Sequence, residues 1–209
     1  MYHHCAANYE HIIEGNNEAN ELFGTAGKDL MYGYGGDDIL HGNDGKDLFD
    51  GGDDNDILDG GAGDDQLFGG AGKDILEGGS GDDLLIGGSW QQDRYVFRAG
   101  HGSNALQGDI LDFVHYRSHE LWLSQSGYDL IISHSGSDDQ VQLDNWFVDE
   151  SFQQYQIYTA DGMWFTARQI QLMVEAMSSF YTRSAEVQIC AMSEEWPFVP
   201  QNNLAANYS

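Results

Sequence analysis

Two cysteines, two prolines and eight basic side chains are all that 209 residues contain of these types. Cys5 and Cys190 lie near opposite ends, so a disulfide framework is excluded, and no cysteine–histidine spacing for zinc is present. No run of about 20 apolar residues offers a transmembrane helix. The opening Met-Tyr-His-His-Cys lacks the charged start and apolar stretch of a cleaved signal peptide, so export would need another route. Catalytic signatures are missing as well. His115 and His119 have the spacing of a zinc-protease helix, but Glu120 follows them instead of lying between them. No G-x-S-x-G elbow, Walker loop or dinucleotide fingerprint occurs, and enzymatic activity is not expected.

Positive charge is the scarcest commodity. Eight Lys and Arg against 35 Asp and Glu leave a formal charge of −27. Such a chain repels nucleic acid and anionic membrane surfaces and attracts cations. An acidic chain with 27 glycines can be plain disorder, but 41% of these residues are hydrophobic and their placement is periodic.

What is present is a nine-residue phrase. From residue 24 it reads GTAGKDLMY, GYGGDDILH, GNDGKDLFD, GGDDNDILD, GGAGDDQLF, GGAGKDILE and GGSGDDLLI, with a degenerate copy GNNEANELF at 15–23. A short fixed period means a solenoid whose units stack on their neighbours. Position 6 carries Asn20, Asp29, Asp38, Asp47, Asp56, Asp65, Asp74 and Asp83; position 8 carries Leu22, Met31, Leu40, Phe49, Leu58, Leu67, Leu76 and Leu85. Residues two apart share a face only in an extended segment, so each repeat divides into a six-residue glycine-rich turn and a three-residue strand. Two repeats make one coil of eighteen residues, and alternate repeats form two separate ladders.

The position-8 side chains stack inward, but eight of them cannot offset the entropy of ordering more than seventy residues. The array also holds eighteen acidic residues against Lys28, Lys46 and Lys73. Carboxylates one strand spacing apart, about 4.8 Å, repel one another. The sequence therefore predicts an array that folds only when a cation bridges its turns. Aspartate carboxylates and backbone carbonyls in a flexible cage suit calcium better than magnesium. The expected ligands are Asp29, Asp47, Asp65 and Asp83 in one ladder and Asp38, Asp56 and Asp74 in the other, with the turn glycines Gly42, Gly51, Gly60, Gly69 and Gly78. This arrangement predicts about five calcium ions, with edge sites at Asn20 and Asp93. Asp44 and Asp53 at position 3, and Asp37, Asp64 and Asp82 at position 5, are either extra ligands or solvated charge. Tyr34, Thr25 and Asp54 depart from the glycine pattern.

After Gly88 the phrase breaks. Apolar stretches at 120–123, 128–132, 140–143 and 156–158 are read as short antiparallel strands closing the roll, with Trp90, Tyr95, Phe97, Trp122, Trp146 and Phe147 as capping bulk. Thr166-Ala-Arg-Gln169 fits a capping box ahead of Ile170, Met173, Val174 and Met177 at helical spacing, which predicts a helix over about 167–180. The tail from Thr182 is irregular and polar.

The repeats resemble RTX, or haemolysin-type calcium-binding, repeats. The segment from Tyr128-Asp-Leu-Ile-Ile through Asp144-Asn-Trp-Phe147 to Tyr158-Thr-Ala-Asp-Gly162 is similar to the haemolysin-type calcium-binding-related domain. The helix and the tail ending Leu204-Ala-Ala-Asn resemble the uncleaved C-terminal signal of type I secretion substrates. This resemblance implies an all-β parallel β-roll with a small antiparallel cap and one C-terminal helix. It also implies a secreted, extracellular protein that leaves through the type I secretion machinery and folds on calcium outside the cell. The expected division is an N-terminal extension (1–14), a roll (15–97), a capping segment (98–165), a helix (166–181) and a secretion-signal-like tail (182–209). Two functions stay open: a calcium-responsive structural module, free-standing or trailing a haemolysin-type toxin or exoprotein, and an adhesin or carbohydrate-binding module using the aromatic cap.

Overall fold

The computed structural model describes residues 9–88, 92–107, 110–148 and 156–181. Two long, mostly parallel sheets face each other. One runs in the order β1 (His11–Asn16), β3 (Asp29–Gly35), β5 (Leu48–Asp53), β7 (Gln66–Ala71), β9 (Leu84–Gly88), β11 (Ser103–Gln107), β15 (Gln140–Leu143), β14 (Asp129–His134) and β13 (Leu121–Ser126). The other holds β2 (Glu21–Phe23), β4 (Ile39–His41), β6 (Ile57–Ala62), β8 (Ile75–Ser80), β10 (Arg94–Phe97), β12 (Ile110–Phe113), β16 (Gln156–Thr159) and β17 (Trp164–Thr166). Strands alternate between the sheets along the repeats, as an eighteen-residue coil requires. Within the repeats each residue pairs with the one eighteen positions on, as Leu30 does with Leu48 and Leu58 with Leu76.

Register and burial follow from the period. Met31, Phe49, Leu67 and Leu85 stack in one sheet; Leu40, Leu58 and Leu76 stack in the other; all are fully buried. The same column continues through Leu106 and Leu143, and through Tyr95, Leu111 and Ile157, although the repeat phrase has ended. The core is a single hydrophobic column.

The structure revises the reading of the second half. Strands β15 and β16 do not merely close the end: β15 pairs in parallel with β11, and β16 in parallel with β12. Among the described residues, antiparallel pairing is confined to β13–β14–β15 and β16–β17. Longer connections of non-repeat sequence feed strands into the same two stacks, so the period disappears while the architecture persists. At the other end, β1 pairs in parallel with β3 in the same register, placing His11 opposite Asp29 and Ile13 opposite Met31. The helix α1 (Ala167–Tyr181) starts from the capping box: Gln169 N–H donates to Thr166 Oγ1 (3.4 Å), and Thr166 N–H donates to Gln169 Oε1 (2.9 Å). Ile170 and Val174 bury its inner face, and Ala167 is buried beside them. Trp90, the side chain of Met177, both cysteines and the tail 182–209 lie outside the described residues.

Candidate metal centre

The turns between strands assemble two ladders of buried carboxylates. In one, the backbone N–H of Asp29 donates to Asp47 Oδ1 (2.8 Å), that of Asp47 to Asp65 Oδ1 (2.8 Å), and that of Asp65 to Asp83 Oδ1 (3.0 Å). In the other, Asn20 N–H donates to Asp38 Oδ1 (2.7 Å), Asp38 N–H to Asp56 Oδ1 (2.9 Å), Asp56 N–H to Asp74 Oδ1 (2.9 Å) and Asp74 N–H to Asp93 Oδ1 (3.1 Å). Each aspartate from Asp38 onward thus commits one oxygen to the backbone of the preceding coil.

The second oxygen is different. Oδ2 of Asp38, Asp47, Asp56, Asp65, Asp74 and Asp83 is buried and has no hydrogen-bond partner. A buried carboxylate oxygen without a donor is costly. Glycine backbone surrounds these oxygens. A Cβ on Gly42 would meet Asp47 Oδ2 (2.6 Å) and the Gly60 carbonyl; one on Gly60 would meet Asp65 Oδ2 (2.5 Å) and the Gly78 carbonyl. The same pairing joins Asp38 Oδ2 with the Gly51 carbonyl, Asp56 Oδ2 with the Gly69 carbonyl and Asp74 Oδ2 with the Gly87 carbonyl. Five places therefore combine an unpartnered carboxylate oxygen with a carbonyl of the next coil. The glycines expected as ligands contribute carbonyls there, and their missing side chains make the approach possible.

Asp29 stands apart. Its Oδ1 accepts from the His11 ring (2.7 Å), and its Oδ2 accepts the Thr25 N–H (2.5 Å). Asp37, Asp64 and Asp82 at position 5, and Asp44 and Asp53 at position 3, are exposed. Asp37 Oδ1 accepts the Asn55 N–H (3.0 Å), and Asp64 pairs with Lys46.

Burial pushes the carboxyls of Asp47 and Asp56 up to about 7, and those of Asp65, Asp74 and Asp83 up to about 6. Asp38 moves in the same direction for the same reason. The backbone N–H donors pull the other way but do not win. An acid whose folded value is raised is favoured in its protonated form, so its contribution to the metal-free fold is fullest below the ordinary value of 3.8. That contribution is lost as pH rises toward 6 or 7. Buried His134 is held down to about 4, chiefly by burial and then by His101, and burial lowers His101 as well; both oppose this trend below their ordinary 6.5. Five such acids against two histidines set the net sign. The chelated protein is expected to gain β-sheet circular dichroism when pH is lowered from 7.5 to 5; an unchanged or falling signal contradicts the assignment of the buried carboxylates.

The donor set identifies the ion it suits. Among the described residues no three His, Cys, Asp or Glu side chains converge on one point. Oxygens arrive as one carboxylate at a time plus backbone carbonyls, which fits a hard cation tolerant of irregular coordination, and calcium is such a cation.

Comparison with known proteins agrees. The model of the RTX calcium-binding nonapeptide repeat matches residues 14–49 and 50–85, and that of the haemolysin-type calcium binding protein related domain matches 129–167; together they span more than half of the chain. The chain carries RTX haemolysin-type calcium-binding nonapeptide repeats followed by a haemolysin-type calcium binding protein related domain. The RTX repeats support calcium binding by this β-roll. Among solved structures, it is similar to the crystal structure of the extracellular lipase LipA from Serratia marcescens. The identity is 20% over 60% of this chain and 38% of the lipase chain, with a TM-score of 0.29. That likeness carries no argument, and the RTX chain spans well under half of the lipase's length. No curated protein matches the chain.

The RTX roll carries a polar junction that the nonapeptide does not announce. Asn104 sits opposite Asp83 and accepts its N–H through Oδ1 (2.9 Å), three residues later than the period demands. With Oδ1 so committed, Asn104 Nδ2 donates to His101 Nδ1 (3.1 Å), and His101 Nε2 donates to His134 Nε2 (3.0 Å). His134 stacks on Tyr116 at 3.7 Å, and the Tyr116 hydroxyl donates to Asp139 Oδ2 (2.5 Å). Burial would raise Asp139, but donors from Tyr116, Gly100 and Gly102 outweigh it and hold the carboxyl near about 2. This network fastens the end of one aspartate ladder to β14. Elsewhere in the cap Trp146 is buried, while Tyr128, Tyr158 and Trp164 are exposed, the last two facing each other across β16 and β17.

Proposed function

We propose that this chain is a calcium-folded module of an exported protein, passing through low-calcium cytosol unfolded and closing into the roll outside the cell. The observation that carries the reading is the set of buried, unpartnered aspartate oxygens beside the glycine carbonyls of the next coil. Asp38, Asp47, Asp56, Asp65 and Asp74 supply the carboxylates, and Gly51, Gly60, Gly69, Gly78 and Gly87 the carbonyls. Asp83 adds a sixth carboxylate at the end of its ladder. Asp29, expected from the motif as a ligand, is left out because Thr25 and His11 already satisfy it. The count stays at about five ions, although the membership shifts by one coil.

When bound, calcium supplies positive charge between coils and so converts carboxylate repulsion into cross-links. The chain's own part is to position the oxygens, exclude water from them and fix the coil spacing through the Oδ1–backbone bonds. No step of bond-making chemistry is assigned to it. Export by a type I route rests on the resemblance of the C-terminal segment and on the calcium requirement of the fold.

Equilibrium dialysis of the full chain tests the reading. About five calcium ions per chain are expected at saturation, with magnesium at equal concentration failing to displace them. Less than one ion per chain, or equal occupancy by magnesium, contradicts it.

A further inference from the structure

The two repeats at the N-terminal end of the roll differ from the six that follow in a way the motif does not show. In repeats starting at residues 33 to 78, position 2 adopts the left-handed region: Tyr34 (φ 76°), Asn43 (74°), Gly52 (111°), Gly61 (99°), Gly70 (111°) and Gly79 (97°). Those are the six repeats whose aspartate Oδ2 is buried without a partner. Tyrosine and asparagine pay strain to adopt that conformation, about 1 kcal/mol or more each, so the geometry is imposed by the site.

Thr25 and Asn16, at position 2 of the first two repeats, do not take this left-handed twist. The sign of φ at position 2 sets which way the peptide joining positions 1 and 2 faces. In these two repeats its N–H points at the position-6 side chain. Thr25 N–H donates to Asp29 Oδ2 (2.5 Å), and Asn16 N–H donates to Asn20 Oδ1 (2.8 Å). The glycine carbonyl of the next coil is still in place: a Cβ on Gly24 would meet the Gly42 carbonyl (2.5 Å), and one on Gly15 the Gly33 carbonyl (2.8 Å). In the Thr25 repeat everything needed for a further site is thus present except an oxygen free of its own backbone; in the Asn16 repeat the carboxylate itself is replaced by the Asn20 amide.

We propose that position 2 is the residue that opens or closes each calcium site, and that Thr25 and Asn16 close the first two, ending the metal array. A left-handed position 2 turns the N–H away and leaves the carboxylate to the cation. A position 2 outside that region delivers the N–H, which takes the cation's place. Asn20 completes the termination in its ladder by carrying no charge, and His11 completes it in the other by covering Asp29 Oδ1. At the far end of that ladder Asn104 is likewise neutral and hydrogen-bonded. The coil at the N-terminal edge is in this way held by the protein's own donors, where a cation at an open edge would lack ligands from one side. This inference rests on the calcium reading above.

The test is the ion count of full-length variants, each confirmed as folded in calcium by circular dichroism. Thr25→Gly restores left-handed freedom and should add one calcium ion per chain. Asn16→Gly combined with Asn20→Asp should add one in the other ladder. Thr25→Ala keeps the N–H and, unlike glycine, disfavours the left-handed region, and should leave the count unchanged. If Thr25→Gly fails to fold, the Asn16→Gly/Asn20→Asp variant decides alone. An unchanged count in the folded glycine variants, with wild type still binding calcium, overturns the gating assignment but not the calcium reading. A wild type that binds no calcium overturns both.

Discussion

Asp65→Ala is expected to lower the stability of the calcium-loaded roll by about 3 kcal/mol and to remove at least one bound ion. Two losses combine. Asp65 Oδ1 is the acceptor for the buried N–H of Asp47, and truncation leaves that donor orphaned in the middle of the array. Asp65 Oδ2 is also the carboxylate oxygen beside the Gly78 carbonyl, so its place between coils loses that carboxylate. Asp56→Ala should behave alike, because Asp38 N–H and the Gly69 carbonyl stand in the same relation to it. Asp29→Ala should cost only about 1 kcal/mol and leave the ion count intact, since its oxygens face His11 and Thr25. Calcium titrations followed by circular dichroism, paired with denaturation at saturating calcium, separate the cases. Equal losses for Asp29 and Asp65 contradict the distinction between open and closed repeats.

The contrast also shows where the nine-residue phrase was informative. Glycine, aspartate and an apolar residue at fixed offsets determine the coil, the two ladders and the buried column from Met31 to Leu85, and all of that was legible. His11 was not, because its coil lacks the glycine and aspartate signature and is betrayed only by Ile13 at the apolar position. Asn104 was hidden by a three-residue lengthening of its coil. Strands β15 and β16 were legible as strands but not as parallel ones, since alternation of apolar residues is the same in either direction. The gating role of position 2 depends on backbone sign, and Tyr34 and Asn43 show that a non-glycine there does not by itself report it.

A second consequence is larger than any single substitution. Six buried carboxylates, each with one oxygen that no donor meets, cost several kcal/mol each when ionised and unpaired, which exceeds what a typical domain has to spare. With 35 acidic against eight basic residues, the rest of the chain adds repulsion to that cost. The roll is therefore stable only as a complex with its cation, and binding and folding are one transition. Far-UV circular dichroism of the full chain at pH 7.5, first in chelator and then with calcium titrated into the millimolar range, measures this directly. The account predicts little β-sheet signal in chelator and a cooperative rise with calcium that magnesium does not reproduce. A chelated protein already rich in β-sheet and as heat-stable as the calcium form would contradict it.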